Sequence, residues 1–368
     1  MSSTRADYAM PRPATASWSL KSTQGRWLLL AGLGAALLLF SLLAIGQGAV
    51  SISAGEIMTV LLQKLGLSGQ EVSAIREAVV LNIRLPRVVL GVLVGGGLAV
   101  AGAAMQGLFR NPLADPGIIG VSSGGAIGAI TMIVLGVNLL PASWYQQLGP
   151  YLVPLAAMAG AMGMTFLIYR LARIGGQVDL VSMLLIGIAI NAIGGAFIGF
   201  LTFIASDDQL RSLTFWGLGS LGRADWELIR AGSLFILIPL CWLPFFSREL
   251  NALLLGEEEA QHLGIDVGRA KTKLIVLAAS LVGAATALCG TIGFIALVVP
   301  HMVRSLIGPD HRFLLPASAL LGGVLLLFAD MVARTVVAPA ELPIGILTSL
   351  LGGPVFLGLL LRRQRQAR

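Results

Sequence analysis

Charge is scarce in this chain. Asp, Glu, Lys and Arg make up 12% of its 368 residues and hydrophobic residues 56%, whereas an ordinary soluble domain is about a quarter charged. So few charges cannot solvate the surface of a water-soluble protein of this size, so lipid is the natural solvent for most of it. Cysteine is nearly absent: Cys241 and Cys289 both lie in apolar runs, which excludes a disulfide framework and leaves two small hydrophobes. No Gly-x-x-x-x-Gly-Lys-[Ser/Thr] phosphate loop occurs, so the chain has no such motif for hydrolysing ATP. Neither a His-Glu-x-x-His pair nor clustered aspartates are present. No catalytic residue and no metal ligand are therefore assigned. Mid-membrane ionisable groups, the usual means of ion coupling in secondary transporters, are missing too. Asp330 is the one acid within a span interior, and it lies near an end.

What the chain has is apolar runs. A helix that crosses a bilayer needs about 20 mostly apolar residues. Such runs fall near 27–46, 88–109, 118–138, 149–172, 180–205, 227–247, 271–290, 292–308, 313–334 and 345–362. The alternating short strands of a membrane barrel are not seen, so the fold class is all-α, a polytopic transmembrane helical bundle. The division reads as a cytoplasmic tail over 1–26, one transmembrane domain over 27–362 and a basic cytoplasmic tail over 363–368. The first run lacks a small-residue cleavage site and reads as a retained span.

The segment 274–300 carries no charge and could be one long span. Gly290-Thr291-Ile292-Gly293 is the expected turn. With ten spans most of the 25 Lys and Arg residues fall on the cytoplasmic side; with nine they divide about evenly. The positive-inside rule selects ten, with both termini cytoplasmic. The net charge of +7 is then topological and calls for no nucleic acid. Glycine is abundant at 46 residues, with Gly91, Gly95, Gly102, Gly124, Gly125 and Gly128 inside spans, where small residues let helix backbones approach closely.

Three polar stretches stand out. Arg110-Asn111-Pro112-Leu113-Ala114-Asp115-Pro116-Gly117 cannot continue a helix and forms either a rigid turn or a gate at the cytoplasmic mouth of a pathway. The cytoplasmic segment 248–273 reads as two short amphipathic helices broken at Gly256 and stopped at Gly264. Leu253, Leu254, Ala260 and Leu263 would face a partner or the membrane surface; a hairpin with acidic residues could also be merely solvated, and docking of a cytoplasmic partner is the preferred reading. On the outer side, Arg84 and Arg87 either snorkel or meet an acidic partner whose charges set docking register. Asp330 and Arg334 are spaced for an intrahelical pair.

With these stretches the chain resembles the iron-compound permease family of ATP-binding-cassette importers, which includes vitamin B12, ferric siderophore and haemin permeases. The resemblance runs from about residue 80 to the C-terminus. It is carried by Arg84–Arg87, Met105–Phe109 with the Asn111–Gly117 loop, Leu255–Gly264, Gly293–Arg304, Gly308–Arg312 and Ala340–Gly345. It implies a homodimer in the bacterial inner membrane, with a pathway along the two-fold axis lined by the fifth and tenth spans. It implies that two copies of a cytoplasmic ATPase dock on Leu253, Leu255, Gly256, Glu257, Glu258, Ala260, Leu263 and Gly264. A periplasmic binding protein would pair its glutamates with Arg84, Arg87 and Arg334. The cytoplasmic constrictions align with Asn111 and Leu113 and with Leu180 and Val181. No cofactor is expected on this chain, ATP and magnesium being used by the partner ATPase. The Gln106–Pro116 wording looks most like haemin permeases, and the apolar Leu180–Val181 pair departs from the more polar B12 permeases. Met183 could contact an apolar macrocycle, while His262, His301 and His311 all fall on the cytoplasmic side.

Overall fold

Every apolar run forms a helix, as expected where each backbone polar group must be satisfied within its own segment. The computed structural model describes residues 20–48, 52–67, 72–338 and 340–366. Helix α1 (Thr23–Gly46) is followed by an outer helix α2 (Ala54–Lys64), which begins at a capping box of Ser53 and Glu56. Helix α3 (Ala74–Ala78), a π-helical turn (Val79–Arg84) and α4 (Leu85–Leu108) run on as one helical stretch. Next come α5 (Val121–Leu139), α6 (Ala142–Leu171) and α7 (Leu180–Ile204). A small ribbon of β1 (Arg173–Ile174) antiparallel to β2 (Gln177–Val178) joins the last two. An outer helix α8 (Asp207–Gly217) precedes α9 (Trp226–Trp242), which passes through a 3₁₀ turn (Leu243–Phe246) into α10 (Ser247–Leu253). The remaining helices are α11 (Glu257–His262), α12 (Val267–Cys289), α13 (Ile295–Ile307), α14 (His311–Thr335) and α15 (Ile344–Gln366).

Eight helical stretches among the described residues are long and apolar enough to cross a membrane, and two apolar helices, Ile295–Ile307 and Ile344–Gly358, are shorter. The 13 residues of α13 rise only about 20 Å at about 1.5 Å per residue. The run expected at 292–308 is thus a short helix preceded by a non-helical stretch, 290–294. Gly290 (φ 74°) and Phe294 (φ 67°) take the left-handed backbone that breaks the run, where the sequence placed its turn. The tails also differ at their edges. Ser22 caps α1 by accepting from the Gly25 N–H (3.1 Å), so the helix begins before residue 27. Residues 1–19 of the N-terminal tail lie outside the described residues. Helix α15 continues past 362 to Gln366, and 367–368 lie outside the described residues.

Helix α4 is the most enclosed, packed against α9, α12, α13 and α14. Two crossings bring backbone against backbone. A Cβ added at Gly95 would lie 2.4 Å from the Gly322 carbonyl oxygen of α14, and one at Gly102 would lie 1.8 Å from the Ala296 carbonyl oxygen of α13. Helices α5 and α6 meet in the same way at Gly124 and Gly160. Helices α1 and α7 present most of their apolar surface outward.

Candidate functional site

At the outer end, the π-helical turn finishes at Arg84, and the helix that follows brings Arg87 onto the face opposite Asp330. Both arginines are buried. Arg84 donates through Nη1 to the carbonyls of Ile45 (2.5 Å) and Gly46 (2.9 Å). Arg334 donates to those of Ala44 (3.1 Å) and Gln47 (3.2 Å). The two cations therefore meet the last carbonyls of α1, where the helix dipole favours positive charge. Arg87 grips Asp330 with Nε and Nη2 and reaches Glu341 with Nη1 (2.9 Å) and Nη2 (3.0 Å). Arg334 Nε lies 3.1 Å from Asp330 Oδ2, the intrahelical pair that the spacing predicted, though its angle is not that of a hydrogen bond. The structure thus gathers the three arginines expected to dock a partner. It adds Glu341, from the Ala340–Gly345 stretch, as a second acid against Arg87. Three cations and two carboxylates leave the cluster net positive.

On the cytoplasmic side, α4 ends with Arg110 in the left-handed region (φ 48°). The Arg110 N–H donates to the Gly107 carbonyl (3.2 Å) and that of Asn111 to Gln106 (3.1 Å). The Asn111 side chain accepts from the Leu113 N–H (3.0 Å), an Asx turn that fixes these two together. Asp115 accepts from the Gly117 N–H (2.7 Å) and starts a 3₁₀ turn (Pro116–Ile119). Burial pushes the Asp115 carboxyl up in pKa, against the pull of the Gly117 bond. This turn packs on α7, so closely that a Cβ on Gly187 would lie 2.1 Å from the Ile118 carbonyl oxygen. Asn191 of α7 bonds the Gly117 carbonyl (3.4 Å) and the Ser123 hydroxyl. Leu180 and Val181 open α7 behind the cap Asp179, which accepts from the Ser182 N–H (2.8 Å); the Ser182 hydroxyl first and this N–H second hold its pKa low. Val181 is exposed.

The segment after α9 breaks at Gly256 (φ 148°) and stops at Gly264 (φ 81°), as read from the sequence. Its faces differ from the expected ones. Leu253 and Ala260 are buried in the chain's own core, whereas Leu255, Glu258, Leu263 and Gly264 are exposed and Glu257 is half-buried. Apolar spacing alone does not separate a face turned to the core from one turned to a partner. Lys271, buried at the start of α12, donates to Glu257 Oε2 (2.6 Å) and to the Val178 carbonyl (3.3 Å).

Met183 is fully buried, a core side chain with no surface toward a pathway. A cleft of about 660 Å³ opens on the outer side between α6, α9 and α12, with Tyr151, Arg223 and Glu227 on its rim. No residue singled out from the sequence for gating or docking lines it.

A bundle of this hydrophobicity, with an arginine cluster outside and a broken helical hairpin inside, is that of a multi-span permease. Residues 36–362 match the FecCD transport family. The chain is 53% identical over 287 residues to the hemin transport system permease protein HmuU of Yersinia pestis, covering 78% of this chain and 84% of that protein. It is 43% identical to the cobalamin import system permease protein BtuC of Halobacterium salinarum, over 79% of this chain and 75% of that one. To the vitamin B12 import system permease protein BtuC of Salmonella typhimurium it is 41% identical, over 89% and 95%. A solved structure described as an inward-facing conformation of a metal-chelate type ABC transporter is similar at a TM-score of 0.78 and 31% identity, over 91% of this chain and 99% of that one. The chain belongs to the FecCD transport family. It is a permease of an ATP-binding-cassette importer and a multi-pass protein of the bacterial inner membrane. Membership implies an ATPase and a substrate-binding protein as its partners.

Proposed function

We propose that this permease carries haemin, or a related iron compound, from a periplasmic binding protein into the cytoplasm. The observation that carries the substrate is the 53% identity to the hemin permease, against 43% and 41% for the cobalamin and B12 permeases. The apolar Leu180–Val181 pair supports the same choice.

In this reading two copies of the chain form the pathway between their α7 and α15 helices, whose outward apolar faces are the surfaces available to a second copy. The positive outer cluster of Arg84, Arg87 and Arg334 receives acidic side chains of the binding protein. Asn111, Leu113, Leu180 and Val181 close the cytoplasmic mouth. Two ATPase subunits dock on Leu253–Gly264, through the exposed Leu255, Glu258, Leu263 and Gly264. The chain binds no cofactor of its own. ATP and magnesium act in the ATPase, whose closure and opening alternate the exposure of the pathway. The permease needs little selectivity, because the binding protein does the choosing.

The test is uptake into proteoliposomes holding the permease, its ATPase and its binding protein, offered haemin, a ferric siderophore or B12, with and without ATP. ATP-dependent entry of haemin alone is expected. Entry of B12 alone would keep the importer and replace its substrate. Uptake indifferent to the ATPase would overturn the importer mechanism.

A further inference from the structure

Buried polar side chains are few among the described residues, and two of them, His311 and Lys271, lie between the docking segment and the gate. At the first, Asn251 of α10 turns away from the docking face toward α14. Its Oδ1 accepts from the His311 backbone N–H (2.9 Å) and lies 2.9 Å from His311 Nδ1, while its amide donates to Asp310 (2.8 Å). With Asn251 Oδ1 as acceptor, Nδ1 carries the ring proton. The other ring nitrogen, Nε2, is buried against α4. It faces Gly107: a Cβ there would lie 2.6 Å from Nε2 and 3.1 Å from Leu250 of α10. The Gly107 carbonyl holds the Arg110 N–H, and that of its neighbour Gln106 holds Asn111. A short path of contacts therefore runs from α10 through the His311 ring to the Asn111–Leu113 turn.

At the second, Lys271 Nζ bridges Glu257, on the docking segment, and the Val178 carbonyl, two residues before Leu180. The Lys271 side chain is 4% exposed. A buried ammonium holds its partners closely, because separating them would leave a charge unpaired. Each half of the gate thus has its own polar joint to the same segment.

We infer that Asn251 and Lys271 are positioning residues, which transmit movement of the docked segment to the Asn111–Leu113 and Leu180–Val181 halves of the cytoplasmic gate respectively. This rests on the docking and gating reading given above. An apolar contact at either place would allow the segment to slide; a directional hydrogen bond to a buried partner moves with it. The joints act through packed, discrete arrangements, the physical requirement for coupling between separated sites.

The experiment measures substrate delivered per ATP hydrolysed in proteoliposomes of the full importer. The variants are Asn251→Ala and Lys271→Met, with Arg269→Gln, which pairs with Asp266, as a neighbouring control. Delivery per ATP is expected to fall about tenfold in each of the two variants, a coupling loss of ordinary size, with the ATPase still bound and the control unchanged. A purely structural role would lower the yield of assembled complex but leave delivery per ATP unchanged, and that result overturns the inference. Should either variant fail to assemble, Asn251→Asp and Lys271→Arg keep shape or charge. Asn251→Asp loses the donor to Asp310 and is expected to uncouple, whereas Lys271→Arg is expected to stay coupled. Failure of these variants to assemble as well would make the joints merely structural and overturn the inference. Wild-type vesicles without ATP-dependent uptake would sink the importer reading itself, and the joints with it.

Discussion

Arg87 of α4 and Asp330 of α14 form a forked pair inside the outer end of the bundle. Arg87 Nε and Nη2 stand 3.0 and 2.8 Å from the same carboxylate oxygen, with Nε also 3.1 Å from the other. Only a planar guanidinium offers donors in this arrangement, and the remaining edge is left for Glu341. Asp330 in turn lies against Arg334, so one buried carboxylate is shared by two cations and offsets only one of their charges.

Asp330→Asn keeps the shape and removes the charge, leaving Arg87 and Arg334 with one acid fewer. A loss of about 3 kcal/mol is expected, as for other buried pairs deprived of one partner. Thermal unfolding of the purified protein in detergent checks it. A variant melting with the wild type would mean that Glu341 alone suffices.

Glu341 is the exposed member of the cluster, with 45% of its side chain accessible. Glu341→Gln raises the net positive charge presented to an acidic binding protein. Docking is expected to tighten about twofold to fivefold, the scale of one exposed pair, and the gain to vanish at high salt. Binding-protein affinity at two ionic strengths decides it; equal affinities at low salt would remove the cluster from the docking surface.

Leu263 is exposed, whereas Leu253 is 2% exposed within the core. Leu263→Asp is expected to release the ATPase from a folded permease. Leu253→Asp is expected to unfold it, since a buried unpaired carboxylate costs several kcal/mol. Co-purification of the ATPase read beside the permease's own melting temperature separates the two effects.

Asp310 caps α14 and accepts from Arg312, Asn251 and, at 3.5 Å, Arg26. Burial raises its pKa, but the bonds from Arg312 and Asn251 outweigh that and hold it at about 2, below the ordinary 3.8. A carboxylate depressed on folding contributes stability that is full above its ordinary pKa and is lost as pH falls through the folded value. Wild-type stability should therefore fall between about pH 4 and pH 2, and Asp310→Asn should flatten that part of the profile. Identical acid profiles would show that the cap adds nothing.

Gly102→Ala places a methyl group 1.8 Å from the Ala296 carbonyl oxygen, while a Cβ at Gly163 of α6 meets nothing within 4 Å. The first is expected to cost about 1–3 kcal/mol by overpacking. The second is expected to gain up to about 1 kcal/mol from helix propensity. Unfolding of the two variants side by side should show opposite signs.

The bundle was legible because lipid imposes a single rule on every crossing segment, and the spacing of Asp330 and Arg334 was enough to pair them. The breaks at Gly256, Gly264 and Gly290 were also visible, since each takes a backbone that favours glycine. Helices α2 and α8 escaped notice, although each opens with a Ser-x-x-Glu or Ser-x-x-Gln capping box, Ser53 with Glu56 and Ser206 with Gln209. Glu341 was missed as a partner of Arg87 because 254 residues separate them. Asn251 and Lys271 follow no spacing rule: each stands in a charged cytoplasmic stretch, beside Arg248 and Glu249 or between Arg269 and Lys273, where nothing marks it from side chains turned to solvent.

The crossing of α4 and α14 at Gly95 and Gly322 has no side chain between the two backbones. Such a junction has no soft layer in which one helix can slip on the other. At these two crossings, with α13 held at Gly102, the helices cannot slip on one another. In the proposed importer, alternating access then falls to α7 and α15 and to the cytoplasmic ends of α4 and α14 that lie beyond the crossings.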